Sequence, residues 1–123
     1  MLLKGFYKIN SIVNTEGQKY TAAITLNKDH EVFKGHFPGN PVTPGVCMMQ
    51  IIKELTQEAI SAKLTMKSAS NIKFMALINP EVNPDLKLDL EITVSDDGIV
   101  KVKNTSYFND TVALKLSCNY IKN

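Results

Sequence analysis

The chain has 123 residues, 44% hydrophobic and 21% charged, which suits one globular domain over residues 1–123. Its formal net charge of +2 is too small and too evenly spread to indicate nucleic-acid binding. The apolar runs are shorter than the ~18 residues of a membrane span, and the N-terminal run is too short for a signal peptide. We therefore expect a cytoplasmic protein without membrane association.

The first 27 residues predict two strands, 5–13 and 19–27, joined by a hairpin turn at 15–18 with glycine where positive φ is tolerated. In the second strand, one face carries Tyr20, Ala22, Ile24 and Leu26. The next segment, 28–43, is expected to be irregular, since its prolines exclude a central strand. His30 lies there in a polar run and is expected to be solvated.

The pattern then changes to that of a helix, with Thr43 as the N-cap and Pro44 at the first helical position. Residues 46–52 are almost entirely apolar, which predicts a buried first half and a buried Cys47. The second half is amphipathic. Its apolar stripe comprises Ile52, Leu55, Ala59 and Ala62. Its polar stripe, expected to face solvent, comprises Lys53, Glu54, Gln57, Glu58 and Ser61.

The remainder of the chain is predicted to form strands. Alternating apolar residues predict strands within 70–79, 86–94, 99–106 and 111–121, with a hairpin turn at 95–98. The expected inward residues of the first two are Ile72, Phe74, Ala76, Ile78, Leu86, Leu88, Leu90, Ile92 and Val94. Those of the last strand are Val112, Leu114, Leu116, Cys118 and Tyr120. We expect both cysteines to be buried, reduced thiols rather than metal ligands.

One-sided alternation is typical of an antiparallel sheet with a single buried face. The element long and apolar enough to cover that face is the predicted helix. The sequence therefore predicts an α+β domain in the order β-β-α-β-β-β-β, with the sheet wrapped around one long central helix. Pairing a sheet edge across a two-fold axis would protect it, which favours a homodimer or a higher oligomer.

The stretch "GHFPGNPVTPGV" combines a rigid loop with a helix start. His36 is the strong acid/base side chain in that loop. Pro44 has no N–H, so Gly45 and Val46 carry the first unpaired amides of the helix, where its dipole favours negative charge. A base, oxyanion donors and an apolar wall suit removal of a proton α to a carbonyl. Equally, His36 could simply hold the loop's shape.

The string His36-Phe37-Pro38-Gly39-x-Pro41-x-x-Pro44-Gly45-Val46 resembles the signature of the β-hydroxyacyl-[acyl carrier protein] dehydratases, which have the hot-dog fold. The preceding "EVFKG" and the later "KFMALINPEVNPDLKLDLEI" are similar to family segments as well, although a glycine often found in the latter's turn is missing. The resemblance runs from about Val32 onward.

The resemblance implies that His36 removes a C2 proton from a β-hydroxyacyl thioester while the Gly45 N–H binds the thioester carbonyl. Residues implied to line the acyl-binding tunnel are Phe37, Pro44, Val46 and Met49. It also implies a site at a dimer interface with groups from both chains, no cofactor and no metal. The pantetheine arm of an acyl carrier protein, or coenzyme A, would deliver the substrate in fatty acid or related acyl-chain biosynthesis.

One position departs from the family. Gln50 stands where the family carries a glutamate or aspartate that helps the β-hydroxyl leave, and an amide cannot donate a proton at neutral pH. Glu54 lies one turn further on the same helix face. Three hypotheses follow: Glu54 replaces the missing acid; His36 performs both proton steps while Gln50 holds the hydroxyl; or dehydration is weak or lost. In the third case the protein would be a hot-dog acyl thioesterase or an acyl-thioester-binding relative.

Acyl carrier protein is acidic, so a basic rim is expected around the tunnel mouth. The candidates are Lys34, Lys53, Lys63, Lys67 and Lys73.

Overall fold

The computed structural model describes residues 5–34 and 42–123, which form six strands and two helices. The strands are β1 (Tyr7–Glu16), β2 (Lys19–Leu26), β3 (Leu64–Phe74), β4 (Asp85–Val94), β5 (Ile99–Phe108) and β6 (Thr111–Lys122). The helices are α1 (Glu31–Lys34) and α2 (Gly45–Ile60). His36 and Phe37 lie outside the described residues, as does the side chain of Lys34.

The strands form one antiparallel sheet in the order β1-β2-β4-β5-β6-β3. The predicted alternation is confirmed in β2, β4 and β6, where the buried side chains include Ala22, Ile24, Leu86, Leu88, Leu90, Leu114, Leu116 and Tyr120. The predicted turns are confirmed too, with Gly17 at φ +53° and Gly98 at φ +83°. Val94 differs from its expected inward position and is exposed at the end of β4.

Helix α2 packs across the buried face of the sheet, as the sequence predicts. Its 16 residues are about 24 Å long at ~1.5 Å per residue. Its buried side chains include Cys47, Met48, Ile51, Ile52 and Leu55. The helix therefore supplies the centre of the core.

The start of α2 differs from the prediction by one residue. Pro44 is extended (φ −62°, ψ 145°) and is itself the N-cap, so the helix begins at Gly45. Thr43 was expected to cap the helix, but its N–H donates to the carbonyl of Ile78 (2.9 Å). Its hydroxyl is buried and has no hydrogen-bond partner among the described residues. The end of α2 also comes earlier than Ala62, because Ser61 adopts a left-handed conformation as the C-cap.

Strand β3 covers 64–74, so it begins before the predicted segment and ends within it. The register against β6 shifts between Ser70 and Lys73, and Asn71 has φ +53°. Such a bulge interrupts the two-residue alternation. The predicted inward positions of Ile72 and Phe74 are therefore wrong, since both are exposed, whereas Ile78 in the following loop is buried.

The segment expected to be irregular contains the short helix α1. His30 was predicted to be solvated, but its Nδ1 accepts a hydrogen bond from the Val32 N–H (3.1 Å). Its ring also lies edge-on to Phe6, with 5.2 Å between centroids. His30 thus caps α1 and fixes it to the core.

Both cysteines lie in the described part of the chain and are buried free thiols, as predicted. Burial raises the pKa of each thiol, which keeps it protonated and unreactive. Across residues 5–34 and 42–123, no helix combines the length and apolarity needed to cross a bilayer.

Candidate active site

An apolar cavity of about 660 Å³ lies at the N-terminal end of α2. This volume falls within the range of small-molecule sites. Its walls come from the helix start, the end of β3, the loop that follows β3, and the start of β6. Of the predicted site residues, those that line it are Pro44, Gly45, Val46 and Met49. Gln50 and Glu54 do not line it.

Backbone amides at the helix start are placed to receive a polar group. The first donors within this turn are the N–H groups of Cys47 and Met48, both bonded to the Pro44 carbonyl (3.0 and 3.2 Å). The amides of Gly45 and Val46 come before them in the chain. They lie at the positive end of the helix dipole, where a carbonyl oxygen gaining negative charge would be stabilised.

Gly45 is required by a close contact with an aromatic ring. A Cβ atom on this residue would lie 2.6 Å from Cζ and 2.9 Å from Cε1 of Phe74. Those separations are shorter than van der Waals contact, so a larger residue would displace the ring. Glycine lets Phe74 lie against the helix start while the ring remains 62% exposed.

A hydrogen-bonded chain of three side chains lies further along α2. The Gln50 Nε2 donates to Glu54 Oε2 (2.8 Å), and the Tyr7 hydroxyl donates to Glu54 Oε1 (2.7 Å). Glu54 was expected to face solvent with the polar stripe, but it is only 7% exposed. The prediction fails because Tyr7, from β1, covers the carboxylate and supplies a donor to it.

Tyr7 holds its proton firmly in this arrangement. Burial, the hydrogen bond to Glu54, and the negative charges of Glu54 and Glu58 raise the pKa of Tyr7 far above its usual value. Tyr7 and Glu54 also line a polar groove of about 330 Å³, together with Glu58 and Lys63. The carboxylate of Glu54 thus lies between Gln50 and this groove.

The described lysines that were expected to form a basic rim lie at separate places rather than together at the apolar cavity. Lys63 lines the polar groove, and Lys67 lines a different groove beside Ser95 and Asp97. Lys53 is half-buried on α2, and Lys73 lies near the end of β3. Among the candidate lysines whose side chains are described, none lines the cavity.

Sequence reasoning missed two residues of this region, Tyr7 and Phe74. Tyr7 is 47 positions from Glu54 in the chain, and no local pattern reports a contact at that separation. Phe74 was expected to face the core because the bulge in β3 is not visible in the residue pattern.

Comparison with known proteins gives consistent matches. A family model described as "ApeI-like: ApeI dehydratase" matches residues 12–115. The 3-hydroxyacyl-[acyl-carrier-protein] dehydratase FabZ of Lactobacillus helveticus is 30% identical over 121 residues, covering 93% of this chain and 79% of that enzyme. FabZ of Caulobacter sp. is 29% identical over 99 residues, covering 73% of this chain but only 58% of that enzyme.

The fold has close counterparts among solved structures. The dehydratase heterocomplex ApeI:P from Xenorhabdus doucetiae aligns with a TM-score of 0.68 at 17% identity, covering 93% of this chain and 96% of that chain. This likeness establishes the fold, a hot-dog sheet around a central helix. Because the family model spans most of the sequence and a FabZ enzyme matches nearly its whole length, the chain belongs to the ApeI-like family of dehydratases.

Proposed function

We propose that this protein removes water from a β-hydroxyacyl thioester to give the trans-2-enoyl thioester. The acyl group would be carried by an acyl carrier protein, as the names of its FabZ relatives state for those enzymes. The observation that carries the proposal is the apolar cavity at the start of α2, where the Gly45 and Val46 amides precede the first intrahelical donors. An acyl chain would occupy the cavity with its thioester carbonyl at those amides.

The proposed chemistry requires one base and one carbonyl-binding group. His36 takes a proton from C2, and the resulting negative charge on the thioester oxygen is stabilised by the Gly45 N–H. The electron pair then forms the C2–C3 double bond as the C3–O bond breaks. The imidazolium of His36 returns its proton to the departing hydroxyl, which leaves as water. Phe37, Pro44, Val46 and Met49 would surround the chain.

Of the three hypotheses for Gln50 and Glu54, the geometry favours the one in which His36 performs both proton transfers and Gln50 holds the hydroxyl. Both oxygens of Glu54 accept hydrogen bonds, from Tyr7 and Gln50. Glu54 also lies one helical turn, about 5.4 Å, beyond Gln50. To act as the acid, Glu54 would have to break these bonds and move toward the substrate.

The assembly we propose is a homodimer that covers the exposed apolar side chains around the cavity. These side chains, the helix-start patch, are Val46, Ile72, Phe74, Met75 and Leu77. Val46 is 74% exposed and Leu77 is 72% exposed, which is unusual for a cluster of large apolar residues on a monomer. The patch includes the end of β3, an edge strand of the described sheet that could pair with a second copy.

Replacement of His36 tests the proposed base. We expect His36→Ala to lower turnover of a β-hydroxybutyryl thioester by about 10²-fold or more, the usual effect of losing a general base. For the wild type, kcat/KM should fall in acidic buffer, because protonated imidazole cannot accept the C2 proton. His30→Asn is the matched control, since it removes the other imidazole and keeps a side chain able to cap α1. Full turnover by His36→Ala would contradict the assignment.

A further inference from the structure

Two members of the hydrogen-bonded network, Gln50 and Glu54, lie in one row along helix α2. Val46, Gln50 and Glu54 follow one another at four-residue intervals, so they form one row along α2. The row begins at the apolar cavity, which Val46 lines, and ends at the polar groove, which Glu54 lines. Gln50 is half-buried and is the middle member of this row.

Glu54 determines which way the Gln50 amide points. A carboxylate accepts hydrogen bonds and donates none, so the group that Gln50 turns toward it is the NH₂. The bond from Nε2 to Glu54 Oε2 is 2.8 Å, within the range of a charge-assisted bond. The carbonyl oxygen of Gln50 then points away from Glu54, and among the described residues it accepts no hydrogen bond.

Tyr7 in turn fixes Glu54. Its hydroxyl donates to the second carboxylate oxygen at 2.7 Å, and both residues are buried. The carboxylate therefore accepts a hydrogen bond on each oxygen and cannot rotate without breaking at least one of them. Glu58, one turn further along α2, lines the same groove but is exposed.

We propose that Glu54 and Tyr7 are positioning residues that orient Gln50 so that its amide oxygen faces the substrate. This inference rests on the proposed dehydration. The β-hydroxyl would donate its hydrogen to Gln50 Oε1, which aligns the C3–O bond for elimination and leaves an oxygen lone pair for the proton that His36 returns. Gln50 would contact the substrate, whereas Glu54 and Tyr7 would act through Gln50.

Two conservative variants test this proposal, Glu54→Gln and Tyr7→Phe. An amide at 54 could accept from Gln50 or donate to it, so the Gln50 amide would lose its single orientation. We expect each variant to lower kcat about tenfold, the equivalent of one hydrogen bond, with KM changed less than about twofold. The controls are Glu58→Gln, from the same groove, and Tyr107→Phe on β5; both should keep wild-type kcat.

A second readout does not depend on turnover. The ¹⁵N–¹H side-chain resonances of Gln50 should differ from those of exposed Gln18 in the wild type and move toward them in Glu54→Gln, with thermal melts confirming that the variant folds. Unchanged Gln50 resonances, or wild-type kcat, in Glu54→Gln would overturn the proposal. If the wild type shows no turnover, the proposed function and the substrate-facing role of Gln50 are both wrong. The Gln50 resonances would still show whether Glu54 orients the amide.

Discussion

At the scale of single residues, Gln50 and Glu54 are the pair on which the proposed chemistry depends. The resemblance of the loop motif implies an acid at position 50, but an amide stands there, and the buried carboxylate of Glu54 accepts a hydrogen bond from it. The two positions are therefore coupled, and each must be interpreted with the other.

This coupling predicts that Gln50→Glu alone is harmful. It would place a second carboxylate where the Gln50 nitrogen now lies 2.8 Å from Glu54 Oε2, and one of the two acids would have to be protonated. We expect a loss of about 1–3 kcal/mol in the free energy of unfolding at neutral pH, measured by urea titration. Because the shared proton raises a folded-state pKa, the loss should shrink as the pH falls toward 4.

The double variant Gln50→Glu/Glu54→Gln is the matched comparison. It keeps one amide and one carboxylate in contact, so its stability should return to within about 1 kcal/mol of the wild type. A carboxylate at 50 should also raise kcat, by up to about 10²-fold if it supplies the missing acid. Equal stability of the single and double variants would show that the two positions are not coupled.

At the scale of secondary-structure elements, the alternation of apolar and polar residues correctly predicts the buried side chains wherever one face of a strand packs on α2. Strand β4 is the clearest case, because Leu86, Leu88 and Leu90 alternate with charged residues and all three are buried. It failed where the backbone leaves regular geometry, as at the Asn71 bulge in β3. It also failed where a distant partner changes a residue's environment, as Tyr7 does for Glu54.

The helix-start patch supports a prediction about assembly. Leu77→Asp would place a charge in the proposed interface, so it should convert the proposed dimer to a monomer and reduce activity. Light scattering coupled to size-exclusion chromatography measures the first effect, and turnover measures the second.

Val82→Asp is the control for this change. Val82 is also exposed (69%), but it does not line the cavity and should leave the dimer intact. A wild-type protein that is monomeric alone and assembles only with a different chain would replace the proposed homodimer with a heterocomplex, the term used in the name of the ApeI:P structure. A dimeric Leu77→Asp would mean that the interface lies elsewhere.

At the scale of the whole molecule, the hot-dog fold and the dehydratase family follow from the sequence, because the alternating strands, the buried helix and the loop motif all specify the same architecture. The cavity is harder to predict from the sequence, because it depends on Phe74 at the end of the bulged strand β3 and on Leu77 in the loop that follows. The contact of Phe74 with Gly45 is visible only in the folded structure, since it depends on how β3 and α2 lie relative to each other.

The central claim, that the cavity at the start of α2 serves dehydration, is tested most directly by the product of the wild-type protein. Purified protein would be incubated with β-hydroxybutyryl and crotonyl thioesters of acyl carrier protein and of coenzyme A, following enoyl-thioester absorbance and free thiol together. We predict interconversion of the two acyl groups without thiol release, faster with the carrier protein and abolished in His36→Ala. Release of free thiol, or no change in either signal, would contradict the account.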